Sequence, residues 1–512
     1  MLRITKTENG MVQGLPAADP RITVFKGIPF AAPPIGELRW RAPQPAANWK
    51  GVRACLEFMP IAMQRIPGED PQAFYAKEWH VESEVAMDED CLYLNIWTNA
   101  KTGDEKMPVM VWIYGGGLME GYPYEMEFDG ERIARRGVIL VSVNYRLNIF
   151  GFLTHPEIIK KSPDGFVANW GYLDQKAGID WVRHNIANFG GDPNNITIFG
   201  QSAGGGSVLA HLNSPMAKGA FEKAIIQSGG GINIKGLFEK MPPFLDLEGL
   251  AKQGKAFFDY LGAKNLAEAK AMDAKTIMAK HIKFDKYWNA TTDGKYVVED
   301  SNTSILAGHQ HKIPIMIGST KDEFLSGPPD DNIEVWAEDN HPDIAKEFCK
   351  LVREKASVEG ISLKEAAMIN GFELSALLFC QTVAEQGQQT VFGYRFGPEI
   401  PGDNAGAFHS SDLWFEFETL AKCWRPFKGK HYDLARQMCN YWTNFAKNGD
   451  PNGLDADGTP MPKWTPYILK SPLVMEFLDK PRMEKQQSKL KKLLLEYNKK
   501  LLLQSAFNTQ NL

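Results

Sequence analysis

Only six cysteines occur in 512 residues (Cys55, Cys91, Cys349, Cys380, Cys423 and Cys439), with no CxxC pair and no Cys/His spacing suited to zinc. A disulfide-stapled scaffold and a zinc module are thereby excluded, and the thiols are expected to be reduced core residues. No run approaches the roughly 18 consecutive apolar residues of a membrane span, so no integral membrane segment is expected. The first residues, MLRITKTENG, lack the apolar stretch of a secretion signal, which sets the expectation of a cytoplasmic protein. Positive charge is not in excess: 57 Lys and Arg face 62 Asp and Glu, a net charge of −5, so nucleic acid is not an expected partner. Internal repeats, low-complexity tracts and Gly/Ser- or Pro-rich linkers are also missing, which leaves one domain over residues 1–512 as the economical organisation. Three Asn-x-Ser/Thr sequons begin at Asn195, Asn289 and Asn302; the first falls in a strand-like segment expected to be buried, and chance accounts for them.

A composition of 44% hydrophobic and 23% charged residues belongs to a folded chain with a sizeable core. From residue 11 to about 230, β-branched runs alternate with helical patterns, the order of an α/β fold with a mostly parallel sheet. The expected strands are 22–25, 109–113, 138–143, 196–199 and 224–227, followed later by 313–317 and 390–396. Residues 171–188 read as a helix covering the sheet through Leu173, Ile179, Trp181, Val182 and Ile186. Helical patterns near 240–300 and 326–386 read as large insertions. A Lys-rich amphipathic helix is expected near 480–503, with Leu490, Leu494, Tyr497 and Leu501 on one stripe, packed on the body or meeting a membrane surface or a second copy.

The chemistry centres on Gly200-Gln-Ser-Ala-Gly204, between the strand-like Asn195–Phe199 and a helical start at Gly205. GxSxG alone is a weak string. On a sharp strand-to-helix turn, however, it projects a serine hydroxyl above the sheet, and only small residues fit two places to either side. The helix N-terminus behind Ser202 offers N–H groups and the positive end of its dipole. Gly115-Gly116-Gly117 after the strand ending at Ile113 resembles an oxyanion hole, because three residues without Cβ leave their N–H groups open to a ligand. No GxGxxG or GxxxxGK[ST] pattern supports a phosphate loop instead.

A serine nucleophile needs a base, and the base an orienting acid; in α/β-hydrolases the chain order is Ser, acid, His. His409 lies in a loop of small residues, Gly406-Ala-Phe-His-Ser-Ser-Asp412, with His431 as runner-up. Lys321-Asp322-Glu323 follows an expected strand, and order alone does not choose between Asp322 and Glu323.

At this point the chain resembles the type B carboxylesterase and cholinesterase family of α/β-hydrolases, most closely its bacterial para-nitrobenzyl-esterase-like members. The resemblance runs almost end to end, through Phe25–Ala31 with Arg39 and Trp40, Glu89–Asn95, Asn144–Leu147, Gly151-Phe152, Asn169–Gln175, Asn188–Pro193, Gln227–Gly229, Asn444–Ala446 and Gly449–Asn452. It implies Ser202, Glu323 and His409 as the triad. Gly116, Gly117 and Ala203 become the oxyanion donors, and no metal or cofactor is needed. The activity implied is hydrolysis of a small-molecule carboxylic ester through an acyl-enzyme. A non-catalytic cholinesterase-like binding protein and an amidase or thioesterase using the same triad remain the alternatives, and monomer and homodimer are both open.

Three departures qualify the resemblance. Gln201 stands where many members carry Glu beside the nucleophile, which disfavours choline esters. Ala62 stands where secreted members place the cysteine that pairs with the equivalent of Cys91, although Cys55 remains within consideration as a partner. Tyr114 replaces the more frequent His before the glycines, which is expected to alter packing around the oxyanion site. Leu118, Gln201, Trp414 and Phe415 are candidate pocket residues by analogy, and they suggest small-acyl or aromatic esters, cinnamoyl and feruloyl esters among them. Phe417 belongs to the same apolar group, and Ser228 is a candidate support behind the triad.

Overall fold

The structure, a computed structural model, describes residues 1–65, 70, 72–78, 85–234, 244–485 and 488–508. Its centre is an eleven-stranded sheet. In chain order the strands are β1 (Leu15–Pro16), β2 (Thr23–Pro29), β3 (Tyr93–Thr98), β4 (Met107–Ile113), β5 (Ile139–Val143), β6 (Gly191–Gln201), β7 (Lys223–Gln227), β8 (Ile315–Thr320), β9 (Val391–Phe396), β10 (Val474–Phe477) and β11 (Arg482–Glu484). Across the sheet they lie in the order β11-β10-β9-β8-β7-β6-β4-β5-β3-β2-β1. From β10 to β5 every neighbouring pair is parallel, whereas β11 and the β3-β2-β1 side are antiparallel. The parallel strands are covered on both faces, so they are apolar throughout rather than alternating: Val109, Val111 and Ile113 point one way, Met110 and Trp112 the other, and all are buried.

This is the α/β-hydrolase architecture that the strand–helix alternation indicates. Helix α1 (Trp170–Asn185) crosses from β5 to β6, and α2 (Ala203–Asn213) from β6 to β7. The helical pattern at 326–386 divides. Helices Ile333–Asn340, Ala345–Glu359 and Leu363–Ala367 pack on one another, but α3 (Gly371–Gln386) lies on β8 and β9 as their crossover, so it belongs to the sheet layer and is not part of an insertion. In the pattern near 240–300, helices Leu247–Leu261, Leu266–Ala271 and Ala274–Phe284 precede the segment that carries Tyr287 to the site. Helix α4 (Gly429–Asn448) runs beneath β4 and β6.

The C-terminal helix α5 (Lys489–Asn508) starts later than Lys480, because Arg482–Glu484 pairs antiparallel with β10 and removes that stretch from the helix. Leu490, Leu494, Leu495 and Tyr497 are buried, and α5 packs on α3 and on Ala345–Glu359. Four strands beyond the seven expected, β1, β3, β10 and β11, complete the sheet. All six cysteines are free, and Cys55 and Cys91 are both buried, so the open question of their pairing closes against a disulfide. Among the described residues no helix is long and apolar enough to cross a membrane.

Candidate active site

Strand β6 ends at Gln201 and α2 begins at Ala203, leaving Ser202 alone on the turn with φ 56° and ψ −126°, a backbone region that side chains avoid. Its N–H donates to Gln227 O at the end of β7, at 2.8 Å, which ties the turn to the sheet. The glycines of the motif are required by contact. A Cβ on Gly204 would stand 2.0 Å from Ile113 O, and one on Gly200 2.6 Å from the Gly204 carbonyl. Gly115 is a third such position, since its Cβ would lie 2.7 Å from Gln201 O and 3.0 Å from Ser202 Cβ. The glycine loop after β4 therefore lies flat against the serine turn.

That loop turns through Gly116 and Gly117, both at positive φ, and Leu118 follows with φ 62°. Gly116 O accepts the N–H groups of Met119 and Glu120, closing the turn. Among the described residues the N–H groups of Gly116, Gly117 and Ala203 have no backbone acceptor, and all three residues line one cavity with Ser202. Tyr287 donates its hydroxyl to Gly117 O at 2.8 Å from a segment 170 residues away. Nothing in the sequence marks that contact. Tyr114 is buried below the loop, stacked on Tyr145 and donating to Asn144 Oδ1 at 2.8 Å, so the residue that replaces His serves as a hydrogen-bonded floor.

His409 enters from the loop after β9. Its Nδ1 makes a short hydrogen bond with Glu323 Oε2. Glu323 is wholly buried, and its other oxygen accepts the Ser228 hydroxyl and the Thr320 N–H, each at 2.9 Å. Asp322 points elsewhere: its Oδ2 accepts the N–H of Ala407 at 2.9 Å and so holds the loop that carries His409. Of the two acids that chain order left open, Glu323 contacts the imidazole and Asp322 the loop. His431 is distant in role, since its two ring nitrogens are engaged with Lys428 N and Glu399 O at the start of α4.

The cavity over Ser202 has a volume of about 1050 Å³. Leu118 and Gln201 line it, as expected; Trp414 and Phe415 do not. After His409 the chain folds into the short helix Leu413–Glu416 under the sheet, where Phe415 packs on Phe396 and Phe427 and Trp414 is 1% exposed. Phe417 is likewise core, against Trp112. Of the aromatic residues that do line the cavity, Phe324 and Phe372 stand next to the base, 4.6 and 5.7 Å from the His409 ring between centroids. Phe324, with φ 41° and 59% exposure, is placed there by the same turn that delivers Glu323.

The carboxylesterase family profile matches residues 2–494. The chain belongs to the carboxylesterase family. Among its relatives, the para-nitrobenzyl esterase of Bacillus subtilis (strain 168) is 32% identical over 511 residues, covering 95% of this chain and 98% of that one. The fumonisin B1 esterase of Sphingopyxis macrogoltabida is 31% identical over 486 residues, with 88% and 82% covered. A solved para-nitrobenzyl esterase structure superposes with a TM-score of 0.75 at 29% identity, covering 97% of this chain and all of that one. This carboxylesterase is accordingly a carboxylic ester hydrolase, with an α/β-hydrolase fold around the residues described above.

Proposed function

We propose that this carboxylesterase works as a serine hydrolase in which Ser202 is the nucleophile, His409 the general base and Glu323 the acid that orients it. The observation that carries the reading is the pairing of His409 Nδ1 with a buried Glu323, beside a strained serine that opens into the cavity. Ser202 Oγ attacks the ester carbonyl carbon as His409 Nε2 takes its proton. The carbonyl oxygen becomes an oxyanion facing the N–H groups of Gly116, Gly117 and Ala203, which charge development makes stronger donors. The C–O bond to the alcohol then breaks, and His409 returns the proton to the leaving oxygen. Water attacks the acyl-serine by the reverse sequence, releasing the acid and restoring the serine.

Leu118, Phe324 and Phe372 give the cavity apolar and aromatic walls, which favours esters with aromatic or branched apolar groups, cinnamoyl types included. The volume also accommodates larger esters than a short acyl chain requires. The names of the relatives, para-nitrobenzyl esterase and fumonisin B1 esterase, accord with ester substrates of differing bulk. The test is intact-mass analysis with a fluorophosphonate, run on wild type and Ser202→Ala alongside hydrolysis of short-chain nitrophenyl and cinnamoyl esters. One label per chain on wild type and none on the variant, with hydrolysis reduced about 10³-fold or more, is expected. A folded wild type that neither labels nor hydrolyses either ester overturns the reading.

A further inference from the structure

The base assigned to the acyl transfer sits on a segment with little structure of its own. After β9 ends at Phe396 the chain runs to His409 without a helix or strand. A general base has to stay within about 0.5 Å of its working place, so a loop of this kind needs holding from outside. Asp322 holds it at Ala407, as described above. A second holding point lies at Arg425, shortly before α4 and off the cavity wall.

The Arg425 side chain is wholly buried, and its five N–H donors are all spent on two segments far apart in the chain. Nε and Nη2 donate to the Glu78 carboxylate at 3.1 and 2.7 Å. Nη1 donates to Pro401 O at 3.0 Å and to Asp403 Oδ1 at 2.8 Å, while Nη2 also donates to Asp403 Oδ2 at 3.1 Å. The guanidinium carbon stands 4.9 Å from the ring centroid of Phe408, the residue before His409. Glu78, itself 1% exposed, ends the short helix Phe74–Glu78, and that helix returns to the same loop. Phe74 meets Phe408 edge-on, 4.9 Å between centroids, and Tyr75, on the cavity wall, donates its hydroxyl to His409 O at 3.3 Å. One guanidinium thereby closes a circle of contacts around Phe408 and His409.

An ion pair buried this deeply adds little net stability, because desolvation offsets the attraction. What a guanidinium supplies and an ammonium does not is a planar fork that fixes two carboxylates at once. We infer that Arg425 is a positioning residue for His409: through Pro401, Asp403 and the Phe408 ring it fixes the loop, and through Glu78 it holds Tyr75 against the His409 carbonyl. It touches neither substrate nor reacting atoms. The inference rests on the serine-hydrolase reading for the task of His409, whereas the ordering of the ring is a separate property of the fold.

The experiment uses the full chain, well below its thermal midpoint. kcat and KM for nitrophenyl butyrate and the rate of fluorophosphonate labelling are measured for wild type, Arg425→Lys, Tyr75→Phe and the double variant. In Arg425→Lys, kcat and the labelling rate should each fall about tenfold with KM within about twofold, the scale set by a small displacement of a catalytic group. The double variant should fall no further than Arg425→Lys alone, because Tyr75 acts through the contact that Arg425 secures. The downfield proton resonance of the His409–Glu323 hydrogen bond should be present in wild type and broadened in Arg425→Lys. A lowered midpoint with wild-type kcat and an unchanged resonance, a loss confined to KM, or kcat losses that multiply in the double variant overturns the inference. Where Arg425→Lys does not fold, Asp403→Asn loosens one tie at a side chain 38% exposed; kcat is expected to fall about threefold, and a wild-type kcat there overturns the inference. Should wild type neither label nor hydrolyse, the serine-hydrolase reading fails by itself, and the resonance still decides whether Arg425 orders the ring.

Discussion

The side-chain nitrogen of Gln201 lies 3.3 Å from Nε2 of His409, on the opposite side of the ring from Glu323. With Nδ1–H directed at Glu323, the neutral ring presents a lone pair at Nε2, and the amide of Gln201 occupies it. In the proposed mechanism Ser202 takes that place before its proton moves. In Gln201→Glu a carboxylate would stand against the ring and favour the imidazolium, which cannot act as a base. The acidic limb of the kcat/KM profile for a neutral nitrophenyl ester should therefore move up by about one pH unit. A limb in its wild-type position would show that residue 201 does not act on His409.

Ser202 carries backbone strain that a glycine would not feel. With φ 56° and ψ −126°, replacement by Gly should remove activity and also raise the thermal midpoint above that of Ser202→Ala, which keeps the Cβ. The gain corresponds to about 1 kcal/mol or more, net of the glycine's extra freedom in the unfolded chain. Equal midpoints for the two variants would mean that the turn is relaxed.

Two neighbouring glycines of α2 should respond in opposite directions. Gly204→Ala drives a Cβ to 2.0 Å from Ile113 O, backbone on both sides, and is expected to destabilise by about 3 kcal/mol or prevent folding. Gly206→Ala meets only Gly229 O, at 3.8 Å, within the helix, and should stabilise by about 0.5–1 kcal/mol. Denaturation midpoints of the pair separate a packing requirement from a motif kept for other reasons.

What was legible in the sequence followed from local physics. The apolar runs of β4 to β8 and the serine turn could be read because each is built from neighbours in the chain. Trp414 and Phe415 were misplaced because aromatic side chains near His409 look alike in sequence, whether they face the cavity or the sheet; the direction is set by the turn into Leu413–Glu416. Phe324 went unnoticed although it adjoins Glu323, since only its positive φ aims it at the site. Tyr287 meets Gly117 across 170 residues of chain, and the crossover role of α3 shows only in its packing on β8 and β9. Several family motifs proved to be scaffold: Arg39 and Glu89 form a buried pair, with Nε to Oε1 at 2.7 Å, and Arg146 meets Asp174 at 2.6 Å.

Tyr287 is expected to act as a positioning residue. Its hydroxyl holds Gly117 O, so Tyr287→Phe frees the peptide plane next to the donors assigned to the oxyanion. Loss of order there weakens stabilisation in the transition state more than binding in the ground state, and kcat should fall about tenfold with KM within twofold. Carboxylate inhibitors that do not reach the oxyanion site should bind Tyr287→Phe as they do wild type. A change confined to KM would place the residue in substrate binding instead.

Asp412, three residues after His409, gives the stability a dependence on pH whose sign follows from its surroundings. Its carboxyl is wholly buried, and burial raises its pKa from 3.8 to about 7, with the negative charge of Glu323 adding to the effect. His409 and the Tyr394 hydroxyl, 3.2 Å from Oδ2, oppose the rise without cancelling it. The folded protein therefore holds this proton more tightly than the unfolded chain does. The contribution is fully present below about 4 and is lost as pH rises to about 7, with a slope of at most about 1.4 kcal/mol per pH unit. Glu416, also raised by burial and by Asp412, has the same sign. Asp412→Asn cannot ionise, so its stability curve between pH 4 and 7 should fall less steeply than that of wild type, with Glu416 supplying part of the slope that remains. Denaturation free energies at pH 4.5, 6 and 7.5 for both proteins test this, and parallel curves would mean that Asp412 is ionised throughout and that His409 is held by a second buried charge.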